Sequence, residues 1–136
     1  MLNFSTGPLP PFLLCVGPRV ACQWGMPDTP PPTEALAELV SLLERDETCE
    51  LVRMYLRDFP TTMEALATGP SKDHQRLAHS MKSSSQYMGA TDLAERFKAL
   101  ELRLANPGEK VSPADLAAIN AEFAKIEGPL RAFAEN

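Results

Sequence analysis

From Thr33 onward, apolar residues recur every three or four positions, the period of helices that bury one face. Leu36, Leu39, Val40 and Leu43 mark a first helix, which Thr33 is placed to cap. Val52, Leu56, Phe59, Met63 and Leu66 mark a second. Pro60 falls inside it and has no N–H to give, so a kink or split is expected there. "ATGPSKD" breaks the pattern, and Ser71 is a candidate N-cap for a third helix reaching about Met88. In the next turn, "MGATD", Gly89 suits a left-handed C′ position and Thr91 a cap. Leu93, Phe97, Leu100 and Leu104 form the stripe of a fourth helix, closed by "NPGEK".

"SPAD" is a strong start signal, with Ser112 as N-cap, Pro113 at the first helical position and Asp115 completing the box. Leu116, Ile119, Phe123, Ile126, Leu130 and Phe133 then continue the period, with a bend expected at Gly128-Pro129. No segment alternates like a strand. Short loops between helices favour antiparallel neighbours. The expected fold is therefore all-α: an antiparallel, up-down four-helix bundle with a short additional N-terminal helix.

One segment of the third helix fits this packing plan poorly. "AHSMKSSS", residues 78–85, spends a histidine, a lysine and three serines where good helix formers would serve better. At about 100° per residue, Lys82, Ser83, Gln86, Gln75 and Lys72 all lie within about 60° of His79. Leu77, Met81 and Met88 lie on the opposite side. His79 therefore sits at the centre of the polar face. His74 falls beside Met81, as a satisfied core histidine would.

The two histidines are five residues and about 140° apart, so they cannot share a metal ion on one helix face. The serines occupy no nucleophile elbow, and no glycine-rich phosphate loop is present. What remains is an exposed imidazole beside a cation, flanked by small side chains. A free imidazole titrates at about 6.5, so at neutral pH it is substantially unprotonated and nucleophilic. A phosphoryl group placed on it would bring roughly two negative charges. A lysine one turn away would attract them by on the order of a few kcal/mol before screening.

Composition narrows the class without naming a function. The chain has 136 residues, a net charge of −5, 44% hydrophobic and 23% charged residues. That suits one soluble domain and argues against nucleic acid, since no basic stripe appears. Three cysteines, Cys15, Cys22 and Cys49, lack metal-binding spacing and favour free thiols in a reducing compartment. Cys49 reads as a small core residue. "PFLLCV" is too short to span a membrane and lacks the basic flank of a signal peptide. The cytoplasm is the expected location. Residues 1–32 hold eight of the 13 prolines and read as a Pro/Gly-rich, disordered tail preceding a domain over 33–136.

At Ala78, His79, Met81, Lys82, Ser83, Ser84, Ser85 and Gly89, the chain resembles the histidine-containing phosphotransfer (HPt) family. The similarity is close over residues 77–104 and looser, at the level of helix pattern, over about 35–135. One position departs: where the family usually has glycine after the lysine, this chain has Ser83. The resemblance implies that His79 is phosphorylated through Nε2 and that Lys82 supports the phosphoryl group. It also implies that Glu101, on the next helix, hydrogen-bonds the other ring nitrogen and orients the imidazole. Gln75, Ser83, Gln86 and Gly89 become the positions expected to meet a partner.

The implied function is a phosphorelay intermediate in two-component signalling, a carrier without its own ATP site. Its expected partners are response-regulator receiver domains and a hybrid histidine kinase, with no nucleic acid and no membrane. The protein is expected to be a monomer with no cofactor, magnesium belonging to the receiver. Two alternatives stay open: a bundle of the same fold that docks a receiver or kinase without carrying phosphate, and an unrelated helical structural domain.

Overall fold

The computed structural model describes residues 29–135. Five α-helices form there: α1 (Glu34–Leu43), α2 (Arg45–Thr68), α3 (His74–Tyr87), α4 (Thr91–Leu104) and α5 (Pro113–Ala134), with no strand among the described residues. The expected tail at 1–32 falls almost wholly outside that range. So do Cys15 and Cys22, while Cys49 is a free, buried thiol.

The periodic positions form the core. Val52, Phe59 and Leu66 of α2 are fully buried with Leu93, Phe97 and Leu100 of α4 and with Ile119, Leu130 and Phe133 of α5. Phe59 stacks on Phe123 with ring centroids 3.7 Å apart and meets Phe97 edge-on, so one ring ties three helices together. α2 packs on α3 and α5, and α4 packs on the same two, which closes a ring of four helices; α1 lies against α2 and α3.

Neither proline divides its helix: α2 runs through Pro60 and α5 through Pro129. Buried core side chains stand on both sides of each proline, Phe123 being the one before Pro129. Leu56 and Phe59 precede Pro60 and Met63 follows, while Leu130 and Phe133 follow Pro129.

Two of the expected caps are displaced. Ser71 opens a 3₁₀ turn (Ser71–Asp73) instead of capping α3. That turn swings His74, 8% exposed, back under the end of α2, where its Nε2–H donates to Ala65 O at 3.0 Å and Gly69 O at 3.1 Å. Thr91 is the first residue of α4 and makes no cap, because Ala90 holds that position. Ala90 is buried, and its N–H closes the Schellman turn of α3 onto Ser85 O at 2.9 Å, with Gly89 N–H on Gln86 O at 3.0 Å.

The caps at Thr33 and Ser112 form as the sequence suggests, Ser112 with a reciprocal capping box. Asp115 of that box also accepts a bidentate pair from Arg103, at the end of α4. The Arg103 hydrogen bonds outweigh partial burial and hold the Asp115 carboxyl down at about 2, against 3.8 for a free side chain. A lowered folded-state value means that the pair's stabilisation is complete above about pH 4. It is lost as pH falls through about 2. The contribution is on the order of 1 kcal/mol, since Arg103 is partly solvated. Acid titration of urea stability should show this step, and Asp115→Asn should remove it. An unchanged profile in the variant would contradict the assignment.

Candidate functional site

α3 carries the candidate site because its two faces have different tasks. Ala78, Met81 and Ser85 point into the core, where Tyr55 Oη lies 2.8 Å from Ser85 Oγ. Burial pushes the Tyr55 phenol up to about 12, beyond what the Ser85 hydrogen bond offsets, so it stays a neutral partner. Ser85 leaves room for the tyrosine to reach α3 from α2. The opposite face is open: the His79 side chain is 59% exposed, and Gln75 and Gln86 are exposed beside it.

α4 supplies the third group. Glu101 stands at the edge of the Phe97–Leu100 stripe, and its carboxylate bridges two side chains of α3. Oε2 lies 2.6 Å from His79 Nδ1, and Oε1 lies 3.1 Å from Lys82 Nζ. Partial burial alone would raise the Glu101 carboxyl. The hydrogen bonds from Lys82 and His79, and their charges, outweigh it and lower the value below the ordinary carboxylate range. An ionised carboxylate only accepts, so the short contact places the proton on Nδ1. In the neutral ring the nitrogen left without a proton is then Nε2, which meets no hydrogen-bond partner among the described residues.

The positions singled out in the sequence separate into two groups. His79, Lys82 and Glu101 converge, although the wheel suggested a lysine facing solvent. Its side chain is only 22% exposed because the ammonium turns to Glu101. Ser83 and Gln86 lie one and two turns past His79, and Gln75 one turn before it. Gly89 ends the same helix at φ 77°, under Thr33. The wheel shows where Lys82 sits on its own helix but carries no information about α4, so the sequence does not disclose this ion pair. No group of three His, Cys, Asp or Glu able to hold a metal occurs among the described residues. Among them, too, no helix is long and apolar enough to cross a membrane.

The arrangement can orient an imidazole, keep its outer nitrogen nucleophilic and hold a cation one turn away. Replacing Glu101 by alanine should therefore slow any reaction at Nε2 by about tenfold or more. The histidine's ¹⁵N shifts should also show the second tautomer becoming populated. Glu101→Gln, which keeps an acceptor for Nδ1–H, should restore most of the tautomer bias. Equal tautomer ratios in all three proteins would contradict the assignment.

No curated protein and no solved structure matches the chain. Residues 50–128, most of the helical region and all of α3 and α4, match the family model of the Hpt domain, so the chain belongs to the family of histidine phosphotransfer domains that carry phosphoryl groups in two-component signalling.

Proposed function

We propose that the protein is a phosphorelay intermediate: His79 accepts a phosphoryl group from a receiver-domain aspartate and passes it to another. In this reading α2 to α5 make an antiparallel four-helix bundle, which acts as a monomer in the cytoplasm. The observation that carries the proposal is the Glu101–His79 contact of 2.6 Å at Nδ1, with Nε2 left open on an exposed face.

The Nε2 lone pair attacks phosphorus, the bond from phosphorus to the aspartate oxygen breaks, and the aspartate leaves as a carboxylate. No proton has to move. Nδ1 keeps its hydrogen, the ring takes the positive charge, and the ionised Glu101 offsets it. A cationic ring is in turn a good leaving group, so the second transfer runs by the same route backwards. Lys82, held 3.1 Å from Glu101, can turn toward the phosphoryl oxygens as their charge arrives. Magnesium, in this reading, is the receiver's.

A receiver domain charged with acetyl [³²P]phosphate tests the proposal. Label should move to this chain in an acid-labile, base-stable form and be chased by a second receiver. Binding of the charged receiver without label would favour the module that docks and does not carry.

A further inference from the structure

A phosphoryl group on His79 brings roughly two negative charges and three acceptor oxygens, more than one ammonium can satisfy. The side of α3 on which it would stand follows from Glu101. That carboxylate holds Lys82 Nζ at 3.1 Å and draws His79 Nδ1 toward α4 at 2.6 Å. The two nitrogens of an imidazole face outward in nearly opposite directions. With Nδ1 anchored to α4, Nε2 is turned away from α4 and from Lys82.

Two side chains stand on the side to which Nε2 turns. At about 100° per residue, Arg76 lies about 60° and Ser83 about 40° from His79, both in the sense opposite to Lys82. Ser83 faces away from α4, since it lines a groove whose other wall is Leu39 and Leu42 of α1. Along the axis Arg76 is about 4.5 Å before His79 and Ser83 about 6 Å after it. Helical side chains lean toward the N-terminus, so the His79 ring leans over the turn of Arg76, and Ser83 leans toward His79.

Both have donors to spare. Arg76 is largely exposed, and its ion pair with Asp73, one turn back at 3.6 Å, is of the solvated kind that contributes little. Ser83 is half-buried, and its hydroxyl has no hydrogen-bond partner among the described residues. Ser41, Thr48 and Thr68, by contrast, each bond the carbonyl four residues back.

We infer that Arg76 and Ser83 form the outer half of the phosphoryl site, the guanidinium and the hydroxyl donating to the oxygens of the group on Nε2. The inference rests on the phosphorelay reading and adds no bond to its transfer step. Lys82 has to leave Glu101 to reach the group, whereas Arg76 gives up only a weak pair and Ser83 nothing. A glycine at 83 would have no side-chain donor to offer. Holding the dianion from this side favours phosphohistidine in its exchange with an aspartyl phosphate, so phosphoryl groups are drawn onto this chain.

The full chain phosphorylated by phosphoramidate, a small donor that needs no partner, tests this by ³¹P NMR. Donors to the phosphoryl oxygens lower the pH at which the group loses its last proton. Arg76→Gln should raise that midpoint by about 0.5, and Ser83→Ala by about half as much. An exposed position and a good helix former keep both variants folded. In dilute exchange with a receiver charged by acetyl phosphate, the final share of label depends on the two phosphoryl bonds and not on how tightly the proteins dock. For Arg76→Gln the ratio of label on this chain to label on the receiver should fall about threefold. Phosphorus on His79 with midpoints unchanged in the two variants, or moved by Lys82→Ala alone, would overturn the inference and leave the carrier reading standing. No phosphorus on His79 would remove both.

Discussion

A His79→Gln variant is expected to take up no phosphoryl group, a loss of more than about 10³-fold, with its folding stability unchanged. Both halves follow from the geometry. The side chain is 59% exposed and anchors nothing in the core, so its replacement should move stability by less than about 0.5 kcal/mol. A glutamine amide can still donate to Glu101, which keeps that carboxylate and its Lys82 pair satisfied. It has no lone pair comparable to Nε2. His74 cannot substitute, because it is buried and its Nε2 is committed to Ala65 and Gly69 at the end of α2. Residual label at more than a few per cent of wild type, or a large drop in urea midpoint, would contradict the assignment.

Gly89→Ala is expected to cost about 2–3 kcal/mol of stability, for two separable reasons. Gly89 has φ 77°, which an L side chain rarely adopts, and it closes the Schellman turn of α3. A Cβ there would also sit 2.5 Å from Thr33 Cβ, far inside van der Waals contact. Thr33 has little freedom to retreat. Its hydroxyl accepts from Leu36 N–H and donates to Met88 O at 2.9 Å, joining the start of α1 to the end of α3. Thr33→Gly alone should cost about 1 kcal/mol for the lost cap and bond. In the double variant the steric part disappears, so the two changes together should cost less than their sum. Strict additivity in urea denaturation would show that the Thr33 contact is not what forbids a side chain at 89.

What the sequence discloses here is whatever depends on residues close together in the chain. The five helices follow from the three- and four-residue spacing of residues such as Val52, Leu56 and Phe59. The caps at Thr33 and Ser112 follow from side chains that bond their own first turn. Orientation of His79 needs only the pitch of its helix. The misplaced caps fail for the opposite reason. Thr91 has the right chemistry, but the Schellman turn before it spends Gly89 and the buried Ala90 on ending α3. Ser71 is displaced because His74 must face α2, which is decided by packing between helices.

The same division runs through the site. His79 and Lys82 are visible from one helix alone, and Glu101 was reached through the resemblance to a family. The Lys82–Glu101 pair depends on how α3 and α4 lie against each other. Where α1 settles against α2 and α3 is likewise a matter of tertiary packing. Glu44 sets that position: it turns the chain between α1 and α2 with a non-glycine φ of 73°.

The central claim is that Glu101 holds the Nδ1 proton and thereby makes Nε2 the atom that bonds phosphorus. Heteronuclear ¹⁵N–³¹P NMR of the protein phosphorylated by phosphoramidate distinguishes the two ring nitrogens directly. Coupling of the phosphorus to Nε2 of His79 is expected, with Nδ1 still protonated. Phosphorus coupled to Nδ1, or to no histidine nitrogen at position 79, would contradict it.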